Sequence, residues 1–138
     1  LGDVYKRQAQ CKRLRILGFT GTPIIRGNLN AMDKSLLPSL QTVCTEILNN
    51  IAKHGKPGAF AFVLSIESDE VRIFASNLYS DAMNNVPENH YGTTLIQDFA
   101  QQHNGTMTIN SENEEWSLSL TIPLAHQVKL MFSPTEKL

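Results

Sequence analysis

From Lys34 onward the apolar residues Leu36, Leu37, Leu40, Val43, Cys44, Ile47, Leu48, Ile51 and Ala52 recur at spacings of three and four. That period marks one buried face of an amphipathic helix. Asp33 or Ser35 can cap its start, Pro38 is tolerated in the first turn, and Gly55 with Pro57 ends it. The period then changes to two. Phe60, Phe62, Leu64 and Ile66 alternate with smaller residues, Ser68-Asp69-Glu70 turns the chain, and Val71, Ile73 and Ala75 alternate with Arg72, Phe74 and Ser76. Two such runs joined by a polar turn predict a hairpin with strands at Phe60–Ile66 and Val71–Ser76.

Asn77 to Tyr91 is polar and irregular. A connection of that length in a compact domain points to a functional loop. Helical spacing returns over Gly92 to His103, with Leu95, Ile96, Phe99 and Ala100 on one face, and Asn104-Gly105 closes it. Thr106–Asn110 and Trp116–Ile122 read as a second hairpin across the polar turn Ser111 to Glu115, and Pro123 ends it. Upstream, Ile16 to Arg26 is β-prone but broken by Gly18, Gly21 and Pro23. A proline in such a run predicts an edge strand or two short pieces. Gly27 to Asp33 reads as a loop.

Hairpins interleaved with helices predict an α+β fold: a two-layer α/β sandwich with a mixed, largely antiparallel sheet and helices on one face. The expected organisation is one folded unit over residues 16–125. A basic segment, 1–15, precedes it as a linker or an added segment, either of them compatible with the tail of a helix. A weakly structured tail, 126–138, follows.

Composition narrows the function classes. The 138 residues are 41% hydrophobic and 18% charged, with a net charge of −1. That is long enough for a sizeable core, and neither nucleic acid nor an acidic membrane surface is expected as partner. No run approaches the ~18 apolar residues of a membrane helix, and no signal peptide is visible. Cys11 and Cys44 form no metal-type pair, so two reduced thiols in a cytoplasmic protein is the plain expectation.

The candidate chemistry starts on the long helix. Glu46, Asn50, Lys53 and His54 stand at i,i+4 and i,i+3 spacings beside the apolar face, so their side chains project together. A carboxylate, an amide oxygen, an ammonium and an imidazole suit a Mg²⁺–phosphate site. The same stripe also suits a solvated polar shoulder with a Glu–Lys pair. Asn77 at a strand end is a natural turn former, and Thr93 or Thr94 is a natural helix cap.

Four blocks in order change that balance. Glu46-Ile-Leu-Asn-Asn50-Ile-Ala-Lys53-His54, the strand end at Asn77, Gly92-Thr93-Thr94-Leu95, and Gln101-Gln102-His103-Asn104-Gly105-Thr106 followed by Ser117 to Leu124 lie in the order and spacing of one family. From about Leu40 to Leu124 the chain resembles the ATP-binding catalytic domain of bacterial two-component sensor histidine kinases, of the Bergerat ATPase type. The resemblance implies that Asn50 coordinates Mg²⁺, and that Glu46 is catalytic, polarising the metal-bound water or the attacking hydroxyl. It implies that Lys53 and His54 contact phosphate or ribose, and that Asn77 stands where the family has an Asp accepting from the adenine amino group. It further implies a mobile lid over Asn77 to Tyr91, with Gly92, Thr93, Thr94 and Leu95 binding phosphates through backbone N–H groups at the helix start. Three departures are plain. No glycine follows Asn77, Thr94 stands in place of a second glycine, and Glu115-Trp116 replaces the family's Gly-Thr, where Trp116 reads as a packing residue.

The function implied is a protein-histidine kinase catalytic domain that binds ATP and Mg²⁺. It would supply the γ-phosphoryl group to a histidine on a separate helical phosphoacceptor domain, upstream of a cognate response regulator. None of His54, His90, His103 and His126 is followed by the acidic residue typical of a phosphoacceptor helix, so autophosphorylation by this chain alone is not expected. The cytoplasmic part of a membrane-bound sensor is the expected location, without direct membrane contact by this chain. The alternatives are a domain of the same fold that acts through protein contacts, and an anti-sigma-factor-type serine kinase.

Overall fold

The computed structural model describes residues 2–28, 32–79 and 93–124, with side chains from residue 9 onward. Its elements run in the order α1 (Gly2–Ile16), β1 (Ile24–Gly27), α2 (Leu37–His54), β2 (Phe60–Ile66), β3 (Glu70–Leu78), α3 (Thr93–Gln102), β4 (Thr106–Glu112) and β5 (Glu115–Pro123). The five strands form one sheet in the order β1-β2-β3-β5-β4. β1 runs parallel to β2, and every other pair is antiparallel. This is the mixed, mostly antiparallel sheet that the hairpin pattern predicts, with β1 as the short edge strand. The broken run before β1 makes only a single bridge, Thr20 to Ala59.

Period-two alternation decides the faces. Phe62, Ala75 and Leu118 share one register row, Leu64, Ile73 and Leu120 the next, and Ile66, Val71 and Ile122 a third. All nine are buried. They meet Leu40, Val43, Ile47, Leu48 and Ile51 of α2 and Ile96, Phe99 and Ala100 of α3, so the core lies between the sheet and the helices. The opposite sheet face is more open, with Ile24 and Phe74 each 43% exposed. The exposed Arg72 guanidinium there pairs with the Glu70 carboxylate, which raises its pKa.

Boundaries differ from the sequence pattern in three places. α2 starts at Leu37, not Lys34: Lys34 to Leu36 form a turn, and Leu36 is the cap residue without a side-chain cap bond. Asp33 Oδ1 instead accepts from the Ser35 N–H, 3.0 Å, and Asp33 lies three residues before the cap position, too early to cap the helix. β3 continues through Asn77 and Leu78, because β5 supplies partners for both, Trp116 and Glu115. A strand partner satisfies the backbone there and overrides the turn preference of asparagine. The second hairpin closes at Asn113-Glu114, both at positive φ (54° and 62°), as a tight two-residue turn requires.

The basic segment at the start is helical and joins the fold at its end. Leu14 is 2% exposed within the core, Gln10 Nε2 donates to the Thr45 carbonyl, and Arg13 Nη1 donates to Asn49 Oδ1, both at 3.4 Å. Cys11 and Cys44 are free thiols. No helix among the described residues is long and apolar enough to cross a membrane.

Candidate functional site

The three apolar register rows give way to a fourth of different character: Phe60, Asn77 and Trp116. Asn77 continues the inward series Val71, Ile73, Ala75, so its amide points into the core side of the sheet and is 5% exposed. The C-terminal turns of α2 lie over this row. Asn50 and His54 of α2 line a small cavity together with Asn77, Tyr79 and Trp116. Its volume is about 10 Å³, about what one water needs.

Two amides thus meet in a buried place. Asn77 Nδ2 donates to its neighbour's carbonyl, Leu78 O, at 2.8 Å. The same carbonyl accepts from Lys56 N–H at 2.7 Å, which ties the end of β3 to the exit of α2. Gly55 makes this approach possible. A Cβ there would collide with Asn77 Nδ2 and stand 3.1 Å from Phe19 Cε1. Its backbone is extended (φ −77°, ψ 157°), so space, not conformation, demands glycine. Asn50 differs from Asn77. It is 3% exposed, and its Nδ2 has no hydrogen-bond partner among the described residues. Leaving such a group unpaired costs about 1–3 kcal/mol, which a structural role alone does not repay.

Glu46, one turn before Asn50, is half-buried and faces a different space. An open groove of about 660 Å³ lies between α2 and α3, lined by Ser39, Thr42 and Glu46 on one side and by Thr94, Leu95, Asp98, Phe99 and Gln102 on the other. That volume falls in the range of ligand sites, about 300–1,000 Å³. Among the described residues its charged lining consists of two carboxylates, Glu46 and Asp98, without a lysine or arginine.

The sequence-derived site residues therefore divide. Asn50, His54 and Asn77 converge on the small cavity, and Glu46, Thr94 and Leu95 line the groove. Lys53 is exposed and lines neither. Thr93 is the first residue of α3 and half-buried. Gly92 and the lid segment from residue 80 lie outside the described residues. Tyr79 and Trp116 were not singled out as site residues. The signal for Tyr79 was the period-two series extended one step past Asn77.

Magnesium fits these residues only in one form. No group of three or more His, Cys, Asp or Glu side chains among the described residues could hold a metal ion. Asn50 Oδ1 and the Glu46 carboxylate offer few oxygen donors and line different spaces, which suits only an ion that keeps its waters and arrives bound to substrate phosphates; the unpaired Asn50 Nδ2 is a donor and no metal ligand.

With its sheet order and its helices over one face, the chain has the fold of histidine kinase catalytic domains. It superposes on a blue-light activated histidine kinase of Erythrobacter litoralis with a TM-score of 0.67 at 13% identity, over 91% of this chain and 42% of that one. The catalytic domain of the histidine kinase ThkA, in a nucleotide-free form, matches with a TM-score of 0.63 at 11% identity, over 88% of this chain and 90% of that domain. The histidine kinase AdeS of Acinetobacter baumannii matches with 0.63 at 11%, over 87% and 61%. The chain thus spans less than half of the light-activated kinase and nearly all of an isolated catalytic domain. No family model and no curated protein matches the sequence.

Proposed function

We propose that this chain is the ATP-binding catalytic domain of a two-component sensor histidine kinase, located in the cytoplasm. It binds Mg-ATP and supplies the γ-phosphoryl group to a histidine on a helical phosphoacceptor domain outside this chain, from which a response regulator is served. The observation that carries the reading is the buried Asn50 on the long helix, its Nδ2 without a partner among the described residues, lining a cavity with Asn77 in this fold.

When bound, Mg²⁺ would supply positive charge to offset that of the phosphates. The groove's own charge is consistent with a need for it: Glu46 and Asp98 repel a bare triphosphate, and among the described residues no cation lines the groove to offset them. Asn50 would hold the metal through its amide oxygen, Oδ1. Glu46 lies one helical turn away, where a carboxylate can orient a metal-bound water or accept a proton. Thr93 and Thr94 present the N-terminal N–H groups of α3, which suit phosphate oxygens. Asn77 has Nδ2 engaged by Leu78 O, which leaves Oδ1 as the acceptor for an exocyclic amino group.

The test is calorimetric titration of the folded chain with a non-hydrolysable ATP analogue, with and without Mg²⁺. Binding that needs Mg²⁺ and is lost in Asn50→Ala supports the reading. Absence of binding at millimolar nucleotide sinks it. One observation favours a second reading, a domain of the same fold that acts through protein contacts. Tyr79 and Trp116, both 7% exposed, leave only about 10 Å³ beside Asn77.

A further inference from the structure

The two edges of the sheet are guarded differently. β1 has four residues, with Arg26 among them and Pro23 just before. A short strand with a charge and a proline is a blunted edge. β4, at the other edge, has seven residues and an unbroken register with β5. It holds no lysine, arginine, proline or glycine, and no bulge interrupts it. Every residue of it but Met107 is exposed, Ile109 to 36% although its partner Leu118 places it on the helix side of the sheet.

The hairpin turn decides which main-chain groups are left over. In a two-residue hairpin the closing pair, here Glu112 and Glu115, exchanges both main-chain bonds, and the alternation continues from there. Thr106, Thr108, Asn110 and Glu112 thus bond to β5, while Met107, Ile109 and Ser111 turn N–H and C=O outward. Among the described residues no further strand lies beside them and no other backbone hydrogen bond reaches them.

We propose that β4 pairs with β4 of a second copy of this chain, antiparallel about a two-fold axis at Ile109, so that the two sheets join into one. Ile109 exchanges both main-chain bonds with Ile109 of the second copy, and Met107 does so with Ser111. The two Ile109 side chains stand on the same face and cover each other. Charge selects the direction. Glu112 is the single charged residue of β4. Antiparallel pairing sets it opposite Thr106 and about 20 Å along the strand from the other Glu112, beyond the screening length of about 8 Å. Parallel pairing would stack the two carboxylates about 5 Å apart. The flank of α3 turned away from the groove carries Gln97 and Gln101, exposed and uncharged, so the helix layer adds no repulsion. The joined sheet ends on the blunted β1 in both directions, so the pairing closes at a dimer.

The experiment is sedimentation equilibrium of the whole chain from about 1 μM to about 1 mM, the range of a small interface, with amide hydrogen exchange read by NMR at both ends of it. A monomer–dimer equilibrium is expected. The Met107, Ile109 and Ser111 amides should gain at least about 10-fold protection in the dimer, and Thr108 and Asn110, already bonded to β5, should gain less. Ser111→Pro removes an outward N–H and leaves the β5 ladder whole. Ile109→Lys sets two cations against each other at the axis. Each should weaken association at least about 10-fold with the circular dichroism spectrum unchanged. A chain that stays monomeric throughout overturns the proposal. So does a dimer in which the outward amides gain no more than their neighbours, or one that both folded variants leave equally tight. The wild-type exchange pattern decides alone if the variants do not fold, and nucleotide binding enters none of these outcomes.

Discussion

The two ends of the α2 polar stripe are built on opposite principles. At Asn50 and His54 the helix presses against the sheet and leaves a cavity of only about 10 Å³. At Ser39, Thr42 and Glu46 it meets α3 across an open groove. The helix is the same, and the register against the sheet makes the difference. Near its C-terminus, Gly55 lets α2 come within contact of β3. Earlier, α3 stands off and leaves the groove open. The lesson concerns cost. A polar group in the groove is free of desolvation penalty and can be exchanged cheaply, whereas one in the cavity carries a penalty that only a ligand or a partner offsets.

Substitutions can break or sharpen this contrast. The largest effect is expected at Phe19, which is buried and lies against Gly55. Phe19→Ala should lower unfolding free energy by about 3–5 kcal/mol in urea denaturation, and it should loosen the cavity end while the groove residues keep their exchange protection. An equal loosening of both ends would remove the contrast. Next comes Asn50→Ala. Its Nδ2 makes no hydrogen bond to lose, so stability should stay within about 1 kcal/mol. Nucleotide affinity in Mg²⁺ should fall at least about 10-fold, the value of one charge-assisted contact. A large stability loss with unchanged binding would make Asn50 a structural residue.

Gly55→Ala tests the fit of α2 on β3. The added methyl meets Asn77 Nδ2 and the Ile51 carbonyl, and overpacking of this kind costs about 1–3 kcal/mol. Thermal denaturation should show a midpoint several degrees lower, and an unchanged midpoint would mean that the two elements already stand apart. The smallest effect belongs to the groove. Glu46→Gln should change stability by less than about 0.5 kcal/mol, as a half-exposed side chain with no hydrogen bond at stake does. A stability loss above about 1 kcal/mol would show that the groove is packed in solution.

How far the site could be read from the chain varied with the physics behind each part. The long helix was legible because nine apolar residues kept one period, and the structure buries them or packs them against the core. The inward direction of Asn77 was legible too, since the series Val71, Ile73, Ala75 continues to it. Its place within a strand was not, because the partner that keeps residues 77 and 78 extended lies on β5, some forty residues away. Lys53 is a different case. Spacing placed it with Glu46 and Asn50, yet i,i+3 and i,i+4 neighbours cover a broad arc of helix, and Lys53 falls on the outer part of it. The meeting of Tyr79 and Trp116 at the small cavity needed the hairpin tip and the cross-strand register together, and no local pattern encodes either.

By itself the sequence determined the elements, their faces and the order of the four blocks, because helix and strand periods are local properties of a chain. Which polar residues are buried, which stand in the open groove, and how much room is left beside Asn77 were decided only by tertiary structure. Those quantities depend on how closely α2 approaches the sheet, and that distance is set by side chains remote in sequence: Phe19, Gly55, Asn77 and Trp116.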